Sequence, residues 1–130
     1  ATTTRTTGEM VLVVEDEVPL RRIVEGALRR CGYTVLVAGS GREALGVWER
    51  HRDEIDLVLT DMVMPEGMSG GELVDRLRAE KPDLAAIFTS GYSPELVGAT
   101  GRFREGTDFL QKPFDLDSLS RLISVRLRRR

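Results

Sequence analysis

Short apolar runs alternate along this chain with stretches in which apolar residues recur every three or four positions. Met10-Val11-Leu12-Val13-Val14 ends on the acidic pair Glu15-Asp16, and Ile55-Asp56-Leu57-Val58-Leu59-Thr60 closes on Asp61. Runs of this length and character predict short parallel strands buried on both faces. Tyr33 to Val37, Leu84 to Phe88 and Thr107 to Leu110 predict three more. Between the first two, Leu20, Ile23, Val24, Ala27 and Leu28 fit a helix burying one face, with Pro19 in its first turn and Gly32 at its end. Ser40 to Glu43 and Ser69 to Glu72 have capping-box spacing. They open helices with Ala44, Leu45 and Trp48, then Leu73, Val74 and Leu77, turned inward. Ser93-Pro94 starts a fourth helix that Gly98 and Gly101 weaken. Asp115 caps a last one, with Leu116, Leu119, Leu122 and Ile123 inside.

The resulting order is (βα)₅. Right-handed crossovers then place helices on both faces of a doubly wound parallel sheet, an α/β fold. All strands of such a sheet end at one edge, and ligands bind outside that edge where the strand order reverses. Glu15 and Asp16 follow the first strand, Asp61 the third, Thr89-Ser90 the fourth, and Lys112 the fifth. Converging carboxylates repel one another unless a cation lies between them, and magnesium takes one or two carboxylates together with phosphate oxygens. A lysine serves phosphate as a compact point charge. The constellation therefore points to phosphate chemistry at Mg²⁺, or at Mn²⁺.

Composition narrows the class without changing it. The 130 residues suffice for one domain, read as a flexible lead over 1–9, a folded unit over 10–127 and a basic tail over 128–130. No run approaches the roughly 18 apolar residues of a membrane span, so no membrane contact is expected of this domain. The net charge of −2 gives no case for direct nucleic-acid binding. The single cysteine, Cys31, has no internal partner and suits a reducing cytoplasm. Among 19 basic residues only Lys81 and Lys112 are lysines, which draws attention to both. His51, the sole histidine, reads as a solvated helix end rather than a phosphate carrier. A Thr-rich start without Met suggests a segment excised from a longer chain.

The motifs Val13-Val14-Glu15-Asp16-Glu17, Thr60-Asp61-Met62-Val63-Met64-Pro65, Phe88-Thr89-Ser90-Gly91 and Phe109-Leu110-Gln111-Lys112-Pro113-Phe114 stand in order at suitable spacing. Together they resemble the receiver domain of two-component response regulators over roughly Met10 to Leu127. The resemblance implies a flavodoxin-like sheet of strand order 2-1-3-4-5. It implies Asp61 as phosphoacceptor, a carboxylate nucleophile that forms an aspartyl-phosphate. Asp16, Asp61 and the Val63 main-chain carbonyl would bind the metal, with Glu15 acting through water. Ser90 and Lys112 would bind the phosphoryl oxygens, Ser90 and Phe109 would form the switch, and Lys112-Pro113 would be a cis peptide. By the same resemblance Val63 and Tyr92 would flank the path of attacking water and tune hydrolysis. The implied partners are a histidine kinase or histidine phosphotransfer domain, with small phosphodonors as substitutes.

Two departures carry information. The loop from Asp61 to Gly70 is one residue longer than the commonest receiver pattern, and Ser90-Gly91-Tyr92 replaces the usual Thr-Ala pair. Both resemble receivers fused to hybrid sensor histidine kinases. Glycines 98, 101 and 106 surround the expected fourth helix, which leaves dimerisation through it open. Two rival readings are a pseudo-receiver that only binds partners and a Mg²⁺-dependent phosphohydrolase with an aspartyl-phosphate intermediate. The complete set Glu15, Asp16, Asp61, Ser90 and Lys112 argues against the first. Val63, where haloacid-dehalogenase-type enzymes place an acid, argues against the second.

Overall fold

The computed structural model describes residues 8–64, 67–91 and 109–128. Five strands, β1 (Met10–Val14), β2 (Thr34–Ala38), β3 (Ile55–Asp61), β4 (Ala85–Ser90) and β5 (Phe109–Gln111), form one sheet in the order β2-β1-β3-β4-β5. Every pairing is parallel. The described helices are α1 (Val18–Arg30), α2 (Gly41–His51), α3 (Gly70–Glu80) and α4 (Leu116–Arg128). The helix expected from Ser93-Pro94 lies outside the described residues, as do Thr107 and Asp108 of the fifth strand.

Because β1 and β3 are covered on both sides, successive residues serve opposite cores. Leu12, Val14 and Val58 pack with Trp48, Leu73 and Leu77 under α2 and α3. Val11, Val13, Leu57 and Leu59 pack with Val24, Leu28 and Ile123 under α1 and α4. This double burial explains why the runs are continuously apolar rather than alternating.

Local chemistry sets the ends. The Ser69 hydroxyl accepts from the Glu72 N–H while Glu72 accepts from the Ser69 N–H, a complete capping box. At α2 the Ser40 hydroxyl accepts from the Glu43 N–H, but the Glu43 carboxylate reaches past Ser40 to the Gly39 N–H. The Ser118 N–H donates to Asp115 Oδ1 at 2.7 Å and so caps α4.

Several sequence expectations shift. β2 begins at Thr34 rather than Tyr33, because the Tyr33 N–H is spent on the Leu28 carbonyl that closes α1. β4 runs Ala85–Ser90, so Thr89 and Ser90 belong to the strand instead of following it; Thr89 pairs with Asp61 and with Leu110. α4 continues through Arg128, one residue beyond the expected boundary at 127. Ile23 is 54% exposed and does not face the core. The buried stripe of α1 is centred on Leu20, Val24 and Leu28, and Ile23 lies about a quarter-turn away.

Candidate functional site

The carboxyl edge of the sheet gathers the charged residues named above. Glu15 follows β1 directly, and its N–H donates to the Ala38 carbonyl of β2. Asp61 is the last residue of β3. Both are buried, whereas Asp16 is exposed. One carboxylate oxygen from each of Glu15, Asp16 and Asp61 lies within 4.8 Å of the others. That donor set is all hard oxygen and suits Mg²⁺.

Lys112 reaches into this cluster from beyond β5. Its Nζ donates to Asp61 Oδ2 at 3.0 Å and lies 3.1 Å from Glu15 Oε1. The Lys112 N–H donates to the Ser90 carbonyl at 2.7 Å, which fixes the stem from which the side chain projects. The Lys112–Pro113 peptide is cis. Across the cluster, the Met62 N–H donates to the Thr89 carbonyl at 2.7 Å and holds the root of the loop after Asp61.

Electrostatics separates the partners. Burial pushes the Glu15 carboxyl above its ordinary value, outweighing the hydrogen bonds from the Glu17 N–H and from Lys112. Burial alone would lower the Lys112 ammonium, but its hydrogen bonds to Asp61 and Glu15 prevail and hold it above its ordinary value. Glu15 thus loses more hydration than its partners return, while Lys112 is a firmly charged counter-ion for two acids.

Of the remaining expected residues, Val63 and Ser90 fall at the same edge, and Phe109 opens β5. Val63 sits two residues into the loop; the residue is 58% exposed, and its N–H donates weakly to Asp61 Oδ1 at 3.4 Å. Ser90 is buried at the end of β4, and Phe109, beside Phe88 in the β4–β5 register, is buried in the core. Tyr92 lies outside the described residues.

Two contacts were not read from the sequence. Arg21 Nη1 donates to the Glu15 carbonyl at 2.8 Å, bracing the acidic turn from α1. Nothing in a chain rich in arginines marks this one, because the contact depends on how the turn folds back. Gly70, the first residue of α3, packs directly on the Asp61–Met62 backbone. The doublet Gly70-Gly71 after a capping serine, where helix formers would be expected, was the available signal.

Fold and site together define a doubly wound, flavodoxin-like α/β domain with an acidic cluster paired to a lysine at its switch point. Residues 11–124 match the family model of the response regulator receiver domain, and the chain belongs to that family. A sensor kinase CckA of Brucella abortus is 41% identical over 117 residues, covering 90% of this chain and 12% of that protein. The uncharacterised transcriptional regulatory protein YrkP of Bacillus subtilis is 34% identical, covering 92% of this chain and 49% of its own length. The chain therefore spans half or less of these curated relatives. Among solved structures, the receiver domain of the hybrid histidine kinase CckA superposes with a TM-score of 0.76 at 34% identity, covering 91% of this chain and 98% of that one. A response regulator receiver domain protein from Clostridium thermocellum gives 0.82 at 28%, covering 92% and 94%. Receiver domains act in two-component signalling with histidine kinases or phosphotransfer proteins, and they bind Mg²⁺ through acidic residues of the kind clustered here.

Proposed function

We propose that this domain accepts a phosphoryl group on Asp61 from a phosphohistidine, in a Mg²⁺-dependent step of a two-component phosphorelay. The observation that supports this reading is the convergence of Glu15, Asp16 and Asp61 within 4.8 Å, with the Lys112 ammonium 3.0 Å from Asp61. An Asp61 oxygen attacks phosphorus, the N–P bond of the donor breaks, and the imidazole leaves with a proton. Asp16, Asp61 and the Val63 carbonyl would hold the cation, with Glu15 acting through water, and the bound cation would neutralise the phosphoryl oxygens. Phosphoryl transfer needs such positioning and charge more than covalent work by the protein.

On transfer, Lys112 exchanges a carboxylate partner for a phosphoryl oxygen, and the Ser90 hydroxyl donates to another. Phe109 is buried in the core. The proposed switch is accordingly a rebalancing between this buried state and an outward one, with phosphate favouring the buried state. Val63 offers no carboxylate or amide to orient water, and Tyr92 would shield the same approach. The domain is thus a slowly self-hydrolysing acceptor rather than a turnover enzyme. The identity to CckA and the Ser90-Gly91-Tyr92 sequence support a place in a cytoplasmic hybrid sensor histidine kinase.

Intact-mass analysis after incubation with acetyl phosphate and Mg²⁺ tests the assignment. One phosphate should be added, lost in Asp61→Asn and with EDTA, and its decay should quicken in Val63→Asn. Equal labelling of Asp61→Asn would sink the assignment; unchanged decay in Val63→Asn would remove that residue's role.

A further inference from the structure

The chain leaves β3 at Asp61, makes its loop, and returns at Gly70 to touch the point it left. The Gly70 N–H donates to the Met62 carbonyl at 2.9 Å. A Cβ built on Gly70 would lie 2.2 Å from the Asp61 carbonyl oxygen, 3.1 Å from the Asp61 carbonyl carbon and 3.1 Å from Met62 Cα. All three are main-chain atoms. The carbonyl is also engaged on another side, since the Thr60 hydroxyl donates to it at 3.1 Å. Even the tightest contact that a real Cβ makes, near 3.0 Å, would require the peptide and the helix to part by most of an ångström.

We infer that Gly70 is a positioning residue for the Asp61 site: its missing side chain lets the first turn of α3 rest on the Asp61–Met62 peptide. That seat fixes the direction of the Asp61 carboxylate and the start of the loop bearing the Val63 carbonyl. The inference rests on the reading of Asp61 and its cation pocket given above. The requirement is one of space, because Gly70 is not among the glycines with positive φ. Gly41 makes a contrast. A Cβ there meets Met68, at 2.8 Å from Sδ, a flexible side chain from the same loop that is able to move aside. At Gly70 only main chain stands in the way, so the displacement falls on the Asp61–Met62 peptide, the backbone that carries the reacting carboxylate. Misplacing a reacting group by about an ångström costs on the order of a hundredfold in rate.

The test compares Gly70→Ala with Gly46→Ala, whose Cβ meets nothing within 4 Å. In EDTA, the amide resonances of Asp61, Met62 and Val63 should move in Gly70→Ala while those of Glu15 and Asp16 stay. Titration with Mg²⁺, followed by the same resonances, should then show affinity weakened about tenfold or more, with acetyl phosphate labelling slowed by about a hundredfold. Gly46→Ala should match wild type in both. Unmoved resonances, or wild-type Mg²⁺ affinity in a folded Gly70→Ala protein, would overturn the inference. Wild-type protein that binds no Mg²⁺ would instead defeat the functional reading, and the EDTA comparison would still decide the contact. Should Gly70→Ala fail to fold, exchange of the wild-type Gly70 N–H decides: saturating Mg²⁺ should slow it, and an unchanged rate overturns the assignment.

Discussion

Replacing Lys112 by methionine isolates the largest electrostatic interaction in the site. The ammonium lies 3.0 Å from Asp61 and 3.1 Å from Glu15, with side-chain exposures of 19%, 9% and 6% for Lys112, Asp61 and Glu15. At an effective dielectric of about 20, suited to a pocket open on one side, each contact carries about 5 kcal/mol of Coulomb attraction. Most of that offsets dehydration, so the gross figure is not the loss to expect. Removing one member of a buried pair leaves its partners charged and uncompensated, which costs about 3–5 kcal/mol. Here two buried acids are stranded beside Asp16. Urea denaturation in EDTA at neutral pH should therefore show Lys112→Met less stable by about that amount. Saturating Mg²⁺ should narrow the deficit, because a cation bound only by the native state neutralises the same oxygens. At a hundredfold excess over Kd it adds about 2.7 kcal/mol. Mild acidification should narrow it as well, since Glu15 is already raised by burial and loses the lowering influence of Lys112 in the variant. A variant as stable as wild type in EDTA, or a deficit indifferent to Mg²⁺, would refute this account of the pocket.

Two further outcomes follow from local structure. Gly46→Ala, at an open position inside α2, should raise stability by about 1 kcal/mol and the melting temperature by about 4 °C; no rise in a thermal melt would contradict it. The Tyr33 phenol is pushed from 10.0 up to about 12, first by burial and then by Glu9 and Cys31, so the fold favours its neutral form. Its contribution is fully present below pH 10 and lost as pH climbs from there toward about 12. Lys112, also raised, adds to the same decline above 10.5. Tyr33→Phe should make the alkaline fall of stability shallower without abolishing it, and an identical curve would remove Tyr33 from the explanation.

The legible parts of the molecule are those where periodicity and chemistry coincide. The apolar run of β1 gives way to Glu15 just past its end and that of β3 closes on Asp61, and the change of residue type marks the edge of the sheet. Ser69 and Glu72 announce α3 by their spacing, and the cap forms as read. Boundaries failed where hydrogen bonding and composition part company. Thr89 and Ser90 look like a polar loop, yet Asp61 and β5 pair with them and keep them in the sheet. Ile23 satisfies the helical template, but the packing stripe of α1 passes to one side of it. Arg21 was invisible, and Gly70 showed only as a glycine doublet after Ser69, for a different reason: each touches main-chain atoms of the site, and pattern reading registers side-chain types rather than the space between backbones.

Trp48, the only tryptophan, lies at the far end of β3 from Asp61. Its ring is buried and its indole N–H donates to Glu80 at 3.0 Å, where Lys81 Nζ meets the Ile55 carbonyl at the start of that strand. Intrinsic emission is therefore a quiet optical channel, recording the docking of α2 on α3 from the end of β3 opposite the acidic pocket. A melt followed at the tryptophan band reads the core without interference from cation binding. Any change in that band on adding a cation or a phosphodonor would have travelled the length of β3, which makes one wavelength a gauge of how far the domain responds as a single body.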